Sequence, residues 1–250
     1  MLEAALWGLL QGLTEFLPIS SSGHLVLIPA LFGREGPDLA TSAILHLGTL
    51  AAVLAYFRGD LLQMARFDAA GKKLIGLLVL GTIPAAAIGL TLGDQIESMT
   101  ENPRWVAAAL IATGVVLIST RFIKVGDREV SDTEVSDAAV IGVAQALALI
   151  PGVSRSGITI SAALTRRYNP VQAARFSFLL GVPAIAGAGV LSLPDMFEGG
   201  FRTELLVGVV VAAVSGYAAI ALLLRLMARI GLSPFGIYCI GIGLVALIVL

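Results

Sequence analysis

Charge is scarce in this chain. Of its 250 residues 13% are charged and 57% hydrophobic, and the mean hydropathy is +0.94; average soluble domains carry roughly a quarter of charged residues. That balance excludes an ordinary soluble globule and implies an integral membrane protein. No polar stretch is long enough to form a separate soluble domain, so residues 1–250 are read as one all-α membrane domain. Cysteine is nearly missing too. The single Cys239 excludes an intrachain disulfide and a thiolate metal cluster, and its place in the last apolar run suits a small buried hydrophobe. The first residues, MLEAALWGLLQ, hold one acid and no base, which excludes a signal-peptide n-region and assigns them to the mature fold. Aromatics make up only 6%, with Trp7 and Trp105 near segment ends as interfacial anchors.

What the chain does have is long apolar runs. Six of them, near 40–57, 74–92, 105–123, 176–194, 205–224 and 233–250, suit a bilayer crossing, for which about 20 helical residues are needed. Two further regions, 1–32 and 138–165, are broken near their middles by Pro, Ser and Gly. Each predicts a helical hairpin that enters the membrane and returns, with protein or a wet cavity around its irregular tip. The basic residues test this arrangement. Arg58, Arg66, Lys72 and Lys73, then Arg121, Lys124 and Arg128, then Arg166, Arg167 and Arg175, and finally Arg225 and Arg229 mark cytoplasmic loops. The connections with Asp94, Glu97 and Glu101, or with Asp195, Glu198 and Glu204, are expected to face outward. Both ends of 138–165 then lie inside and 1–32 enters from outside, so the two hairpins point at each other. This is an inverted-topology repeat, about 1–123 and 138–250, a design that places ligands near the midplane.

The two hairpin tips carry related polar motifs. QGLTEFLPISSSGH at Gln11–His24 and QALALIPGVSRSG at Gln145–Gly157 each run from Gln through Pro to a Ser-rich turn, with Gln and the closing Gly twelve positions apart. Polar groups at such depth read as a site. Ser20, Ser21 and Ser22 sit where a helix restarts after Pro18, and exposed N–H groups at a helix N-terminus suit phosphate. Gln11 and Glu15, four apart, share a helical face and offer oxygen ligands for Mg²⁺ or Ca²⁺. His24 can act as base, acid or nucleophile. His46, flanked by Leu45 and Leu47, reads instead as a packed or hydrogen-bonded span residue. In the second motif Arg155 stands between Ser154 and Ser156, followed by Gly157 and Thr159; its guanidinium fork matches phosphate oxygens, with an ion pair to Glu15 as the alternative.

These motifs resemble the undecaprenyl-diphosphate phosphatase family, known also through bacitracin resistance. The resemblance rests on Gln11 and Glu15, on Phe16–His24, on PGVSRSG at Pro151–Gly157 with Thr159, and on RFSFLLGVP at Arg175–Pro183. It departs at Gln11, where the family's first acidic position is amidated. The resemblance implies an enzyme that hydrolyses a polyprenyl diphosphate to the monophosphate and inorganic phosphate with a divalent cation, Mg²⁺ or Ca²⁺, recycling the lipid carrier for cell-envelope polymers. Glu15 and Gln11 would hold the metal, Arg155 and the N–H groups of Ser154–Gly157 the phosphoryl group, and Ser21 would attack with His24 as base. The reverse assignment, His24 as nucleophile, stays open. Expected partners are the polyprenyl diphosphate and membrane lipid, with no nucleic acid; a homodimer is left open. The expected location is the plasma membrane, the site opening outward. The rival reading is an inverted-repeat transporter or flippase of a lipid phosphate or other anion.

Overall fold

The computed structural model describes residues 1–191 and 204–250, apart from the side chains of Leu39 and Leu191. The expected outward connection with Asp195 and Glu198, and the end of the 176–194 run, lie outside the described residues. The described chain is helical. Its α-helices are α1 (Leu2–Phe16), α2 (Ser21–Leu31), α3 (Leu39–Tyr56), α4 (Arg58–Met64), α5 (Ala69–Ser98), α6 (Pro103–Ser119), α7 (Val135–Leu147), α8 (Arg155–Thr165), α9 (Pro170–Leu191), α10 (Glu204–Met227) and α11 (Ser233–Val249). Four of them, α5, α6, α9 and α10, are long and apolar enough to cross a membrane, and the α3–α4 pair, bent by 75°, makes a fifth. Each of the six predicted runs falls on a helix. The two predicted hairpins are α1–α2 and α7–α8, short helices on either side of a break.

The breaks follow from local chemistry. Pro18 cannot supply a helical N–H and forces Leu17 into an extended conformation (φ −63°, ψ 141°). The turn then closes through Ser20 at φ 68°, a left-handed conformation costly for a side chain and compensated by its surroundings. In the second tip a glycine takes the left-handed place, Gly152 at φ 93°, and a methyl there would come within 2.3 Å of the Val106 carbonyl oxygen. Both helices restart on a serine cap: Gly23 N–H donates to Ser20 Oγ at 3.1 Å and Gly157 N–H to Ser154 Oγ at 3.2 Å.

Glycine contacts set how the helices run. Gly8 meets Gly208, and Gly12 meets Ala212 and Gly216, so α1 and α10 point the same way. α3 also runs with α10, Gly48 lying on Val209 and Gly216 on Ala52. α7 runs with α5, Gly142 against Gly81, while α6 and α11 are antiparallel, Gly114 on Gly236 and Gly243 on Ala107. One four-part contact occurs twice. Gly208 lies on Leu45 and on the Ala4 carbonyl next to Gly8; Gly81 lies on Leu180 and on the Ala138 carbonyl next to Gly142. Small residues at these crossings let backbones approach where lipid offers no hydrophobic drive for association. A methyl on Gly8 would sit 2.2 Å from the Gly208 carbonyl oxygen.

The feet of the second hairpin are tied by a carboxylate. Asp137, fully buried in the first turn of α7, accepts from Arg128 Nη2 and Arg166 Nε, each at 2.6 Å, and from the Glu134 N–H at 2.9 Å. Nearby, Tyr168 Oη donates to Thr133 Oγ1 at 2.6 Å. Burial raises the Asp137 carboxyl, but hydrogen bonds from Arg128 and Arg166 outweigh it and hold the group below its ordinary 3.8. The contribution of this carboxylate is therefore complete above about pH 4 and fades as pH falls through the lowered value. Asp137→Asn is expected to destabilise the detergent-solubilised protein by about 2 kcal/mol at neutral pH and to flatten the loss of stability below pH 4, read by thermal unfolding across pH.

Candidate active site

The two hairpin tips touch. Ser20 Oγ reaches the Val153 carbonyl at 3.4 Å, Gly152 N–H donates to Ser22 Oγ at 3.4 Å, and Ser156 Oγ donates to the Leu17 carbonyl at 3.3 Å. Residues separated by 130 or more positions thus share one small volume, with the N-termini of α2 and α8 both opening on it. The first-turn N–H groups of a helix have no partner within that helix, so the junction offers two sets of anion-binding donors.

Glu15 is the centre of the junction. Its Oε1 accepts from Arg155 Nη2 at 2.8 Å, and its Oε2 accepts from Ser21 Oγ at 2.6 Å and from Gln11 Nε2 at 3.2 Å. Glu15 is 9% exposed and Gln11 not at all. A carboxylate so far from water is tolerated because a guanidinium and two further donors surround it. Arg155 also approaches the Ser177 carbonyl at 3.5 Å through Nη1. Ser177 Oγ in turn pairs with Thr159 Oγ1 at 2.6 Å, and Thr159 Oγ1 donates to the Arg155 carbonyl at 2.7 Å. Ser154 and Ser156 share a 3.3 Å hydroxyl contact, as do Ser20 and Ser22.

The histidines exchange the places expected of them. His24 is buried, with Nδ1 at 2.8 Å from the Ser20 carbonyl and Nε2 at 2.9 Å from Tyr238 Oη. Because a carbonyl only accepts, Nδ1 carries the proton and neutral Nε2 accepts from the tyrosine. Both ring nitrogens are engaged and neither meets Ser21, so the pairing of His24 with Ser21 as base is not the arrangement found. His24 instead braces the left-handed Ser20. His46, expected to be a packed or hydrogen-bonded span residue, does donate Nδ1–H to the Ser42 carbonyl at 2.7 Å, and it also presents Nε2 at 3.7 Å from Glu15 Oε2. Its side chain is 31% exposed.

Three residues of the site carried no recognisable signal of their own. His46 and Tyr238 lie in apolar spans, and Thr113 supports the second tip by donating to the Gly152 carbonyl at 3.1 Å and accepting from the Ser154 N–H at 3.2 Å. Ser177 is the exception, because it falls within the RFSFLLGVP segment. Arg175, which ended that run of basic residues, pairs with Asp60 and stays outside the junction. A cavity of about 450 Å³ borders the junction, with Ser22 and His46 in its wall together with Arg34, Glu35 and Glu97. Among the described residues no three His, Cys, Asp or Glu side chains gather as a metal site. Gln11 Oε1, however, is buried without a hydrogen-bond partner.

A family model described as bacitracin resistance protein BacA matches residues 4–245. A protein of Thermomicrobium roseum named undecaprenyl-diphosphatase is 43% identical, the match covering 99% of this chain and 97% of the relative. A namesake from Desulforudis audaxviator is 41% identical over the same shares, and undecaprenyl-diphosphatase 4 of Bacillus thuringiensis is 40% identical over 98% of this chain and 95% of its own.

The ion pair predicts non-additive stability. Glu15→Gln and Arg155→Gln each strand a charge at depth, and the double variant is expected to lose at least about 1 kcal/mol less than the two single losses combined. Thermal unfolding of the four proteins in detergent measures it; strict additivity would contradict the pairing.

Proposed function

The chain belongs to the bacitracin resistance protein BacA family, and from that premise we infer that it is an undecaprenyl-diphosphatase, a membrane hydrolase that returns a polyprenyl carrier to the monophosphate for reuse in envelope synthesis. The observation that carries the reading is Glu15, bound at once to Ser21 and Arg155 where two helix N-termini converge. A diphosphate needs its charge met and its terminal phosphorus held in line with a nucleophile. Arg155 and the N–H groups opening α2 and α8 meet the charge. Ser154, Ser156, Gly157 and Thr159 hold the Arg155 turn, and Ser20 and Ser22 hold the turn that bears Ser21. The transporter reading is disfavoured, because anion transport alone has no need of a serine hydroxyl aligned on a carboxylate.

Ser21 is assigned as nucleophile. Its Oγ attacks the terminal phosphorus, its proton passes to Glu15, and the polyprenyl monophosphate departs with the electrons of the broken P–O bond. Water then cleaves the phosphoserine, releasing inorganic phosphate and restoring the hydroxyl. His46 Nε2, 3.7 Å from Glu15 Oε2, is the neighbouring base through which protons reach the outer cavity. Attack by His24 is disfavoured, since both its nitrogens are already engaged.

The residues fit a divalent cation held jointly with substrate. Gln11 Oε1 is a buried acceptor in need of a partner, and Glu15 supplies the one carboxylate; Mg²⁺ or Ca²⁺ commonly fills its other positions with water and substrate oxygens. Bound there, the ion would supply positive charge to the diphosphate oxygens.

We read the fold as six spans, α3, α5, α6, α9, α10 and α11, with α1–α2 and α7–α8 as opposed re-entrant hairpins in one domain built of two inverted repeats. The common direction of α1, α3 and α10 supports this, as do the doubled glycine contact and the basic loops on one side. The site then opens to the outer face of the plasma membrane, a reading supported by the cavity that runs toward Arg34 and Glu97.

Purified protein in detergent is expected to release phosphate from undecaprenyl diphosphate, to stop in EDTA, and to lose about 10²–10³-fold in kcat for Glu15→Ala, Arg155→Ala or Ser21→Ala. Full activity in Ser21→Ala would contradict the nucleophile assignment. Absence of release from folded wild-type protein would contradict the phosphatase reading.

A further inference from the structure

The two halves repeat one contact but do not pack alike beyond it. Where α3 meets α10 the seam is shut: a methyl on Gly48 would lie 2.4 Å from the Val209 carbonyl oxygen, and one on Gly216 would lie 3.1 Å from the Ala52 side chain. The counterpart seam, α5 against α9, is closed at Gly81, where a methyl would lie 2.9 Å from Leu180. Past that point the helices part. A methyl on Gly89 would meet nothing nearer than Leu149 at 4.0 Å, and one on Gly187 nothing within 4 Å. Between them lies an apolar groove of about 520 Å³, walled by Ala86, Gly89, Leu149, Ala184 and Gly187, among others, with Thr82 as its polar member. Helix packing does not require these small residues. They keep the groove wide.

The groove begins one helical turn from the site. Arg155 lies against Gly181, where a methyl would come within 2.1 Å of Nη1, and Pro183 and Ala184 of the groove wall follow within one turn of α9. Leu149 ties the groove to the tip itself. It stands four residues after Gln145, as Glu15 stands four after Gln11. The position that bears the reacting-site carboxylate in one repeat thus bears an apolar side chain facing the groove in the other.

We propose that this groove between α5 and α9 takes the first isoprene units of the polyprenyl chain, so that the two repeats divide the substrate: the first acts on the diphosphate head, the second holds the tail. The proposal rests on the phosphatase reading for the nature of its occupant. A larger groove of about 730 Å³ along α1 is the rival path, but Glu3, Arg34 and Glu35 line it beside Leu6 and Leu13, and a hydrocarbon chain there would desolvate charge.

Filling the groove tests the proposal. Gly89→Leu and Gly187→Leu have room for the added side chain and replace glycine within helices, so the fold is retained. Each is expected to lower kcat/KM for undecaprenyl diphosphate about tenfold or more, through KM, while changing that for methyl diphosphate, which has no isoprene unit to place in the groove, less than about twofold. Unchanged long-chain kinetics, or equal losses on both substrates, would overturn it. A diazirine-bearing polyprenyl monophosphate supplies a readout that needs no hydrolysis: label on α5 and α9 supports the groove, and label on Leu6–Leu13 instead overturns it. If the wild type hydrolyses neither diphosphate, the phosphatase reading fails while the labelling still decides the groove.

Discussion

A carboxylate and a guanidinium that meet away from water hold this molecule's site together. Glu15 and Arg155 come from helix breaks 140 residues apart, and neither could stay charged at that depth without the other. Their union demands that both backbones open at the same level, which the Pro18 turn and the left-handed Gly152 make possible. Opening a helix in an apolar medium leaves N–H groups that need partners. Serine caps on Gly23 and Gly157 take some of them, and Thr113 satisfies the second tip from α6. The groups left over face the junction, where an anion can use them. The cost of breaking two helices and the capacity to bind a diphosphate therefore have one origin.

Much of this was legible in residue order. Pro, Ser and Gly interruptions in apolar runs marked both helix breaks. Glu15, Ser21 and Arg155 were conspicuous because their chemistry is expensive where they stand. His46 was not, since two flanking leucines make it resemble packing, and only the course of α3 brings its Nε2 near Glu15. His24 misled in the opposite sense. Its place beside the serine triplet suggested a base, yet α2 turns the ring to the Ser20 carbonyl and to Tyr238, which lies 214 positions away. Contacts between distant segments leave no periodic trace, so Tyr238 and Thr113 could be found only in three dimensions.

The two polar hairpins are alike in frame and different in chemistry. The doubled contacts at Gly8–Gly208 and Gly142–Gly81 give both halves the same skeleton. Upon it, one tip presents Glu15 and Ser21 where the other presents Leu149 and Arg155, and one seam is shut where its counterpart stands open. The two charges stand at non-equivalent places, Glu15 corresponding to Leu149 and Arg155 to Ser21, and they pair across the junction. The feet of the second hairpin are tied by Asp137 with its two arginines.

The convergence of the tips is the claim on which everything else depends, and cross-linking measures it most directly. With Cys239 replaced by serine, Ser20→Cys and Val153→Cys introduce thiols at positions whose side-chain and carbonyl oxygens lie 3.4 Å apart. A protease site is placed in the connection between Lys124 and Thr133. After treatment of membranes with dibromobimane and cleavage, the two halves are expected to remain joined on a denaturing gel. Halves that separate, in protein shown to be folded, would contradict the meeting of the two hairpins.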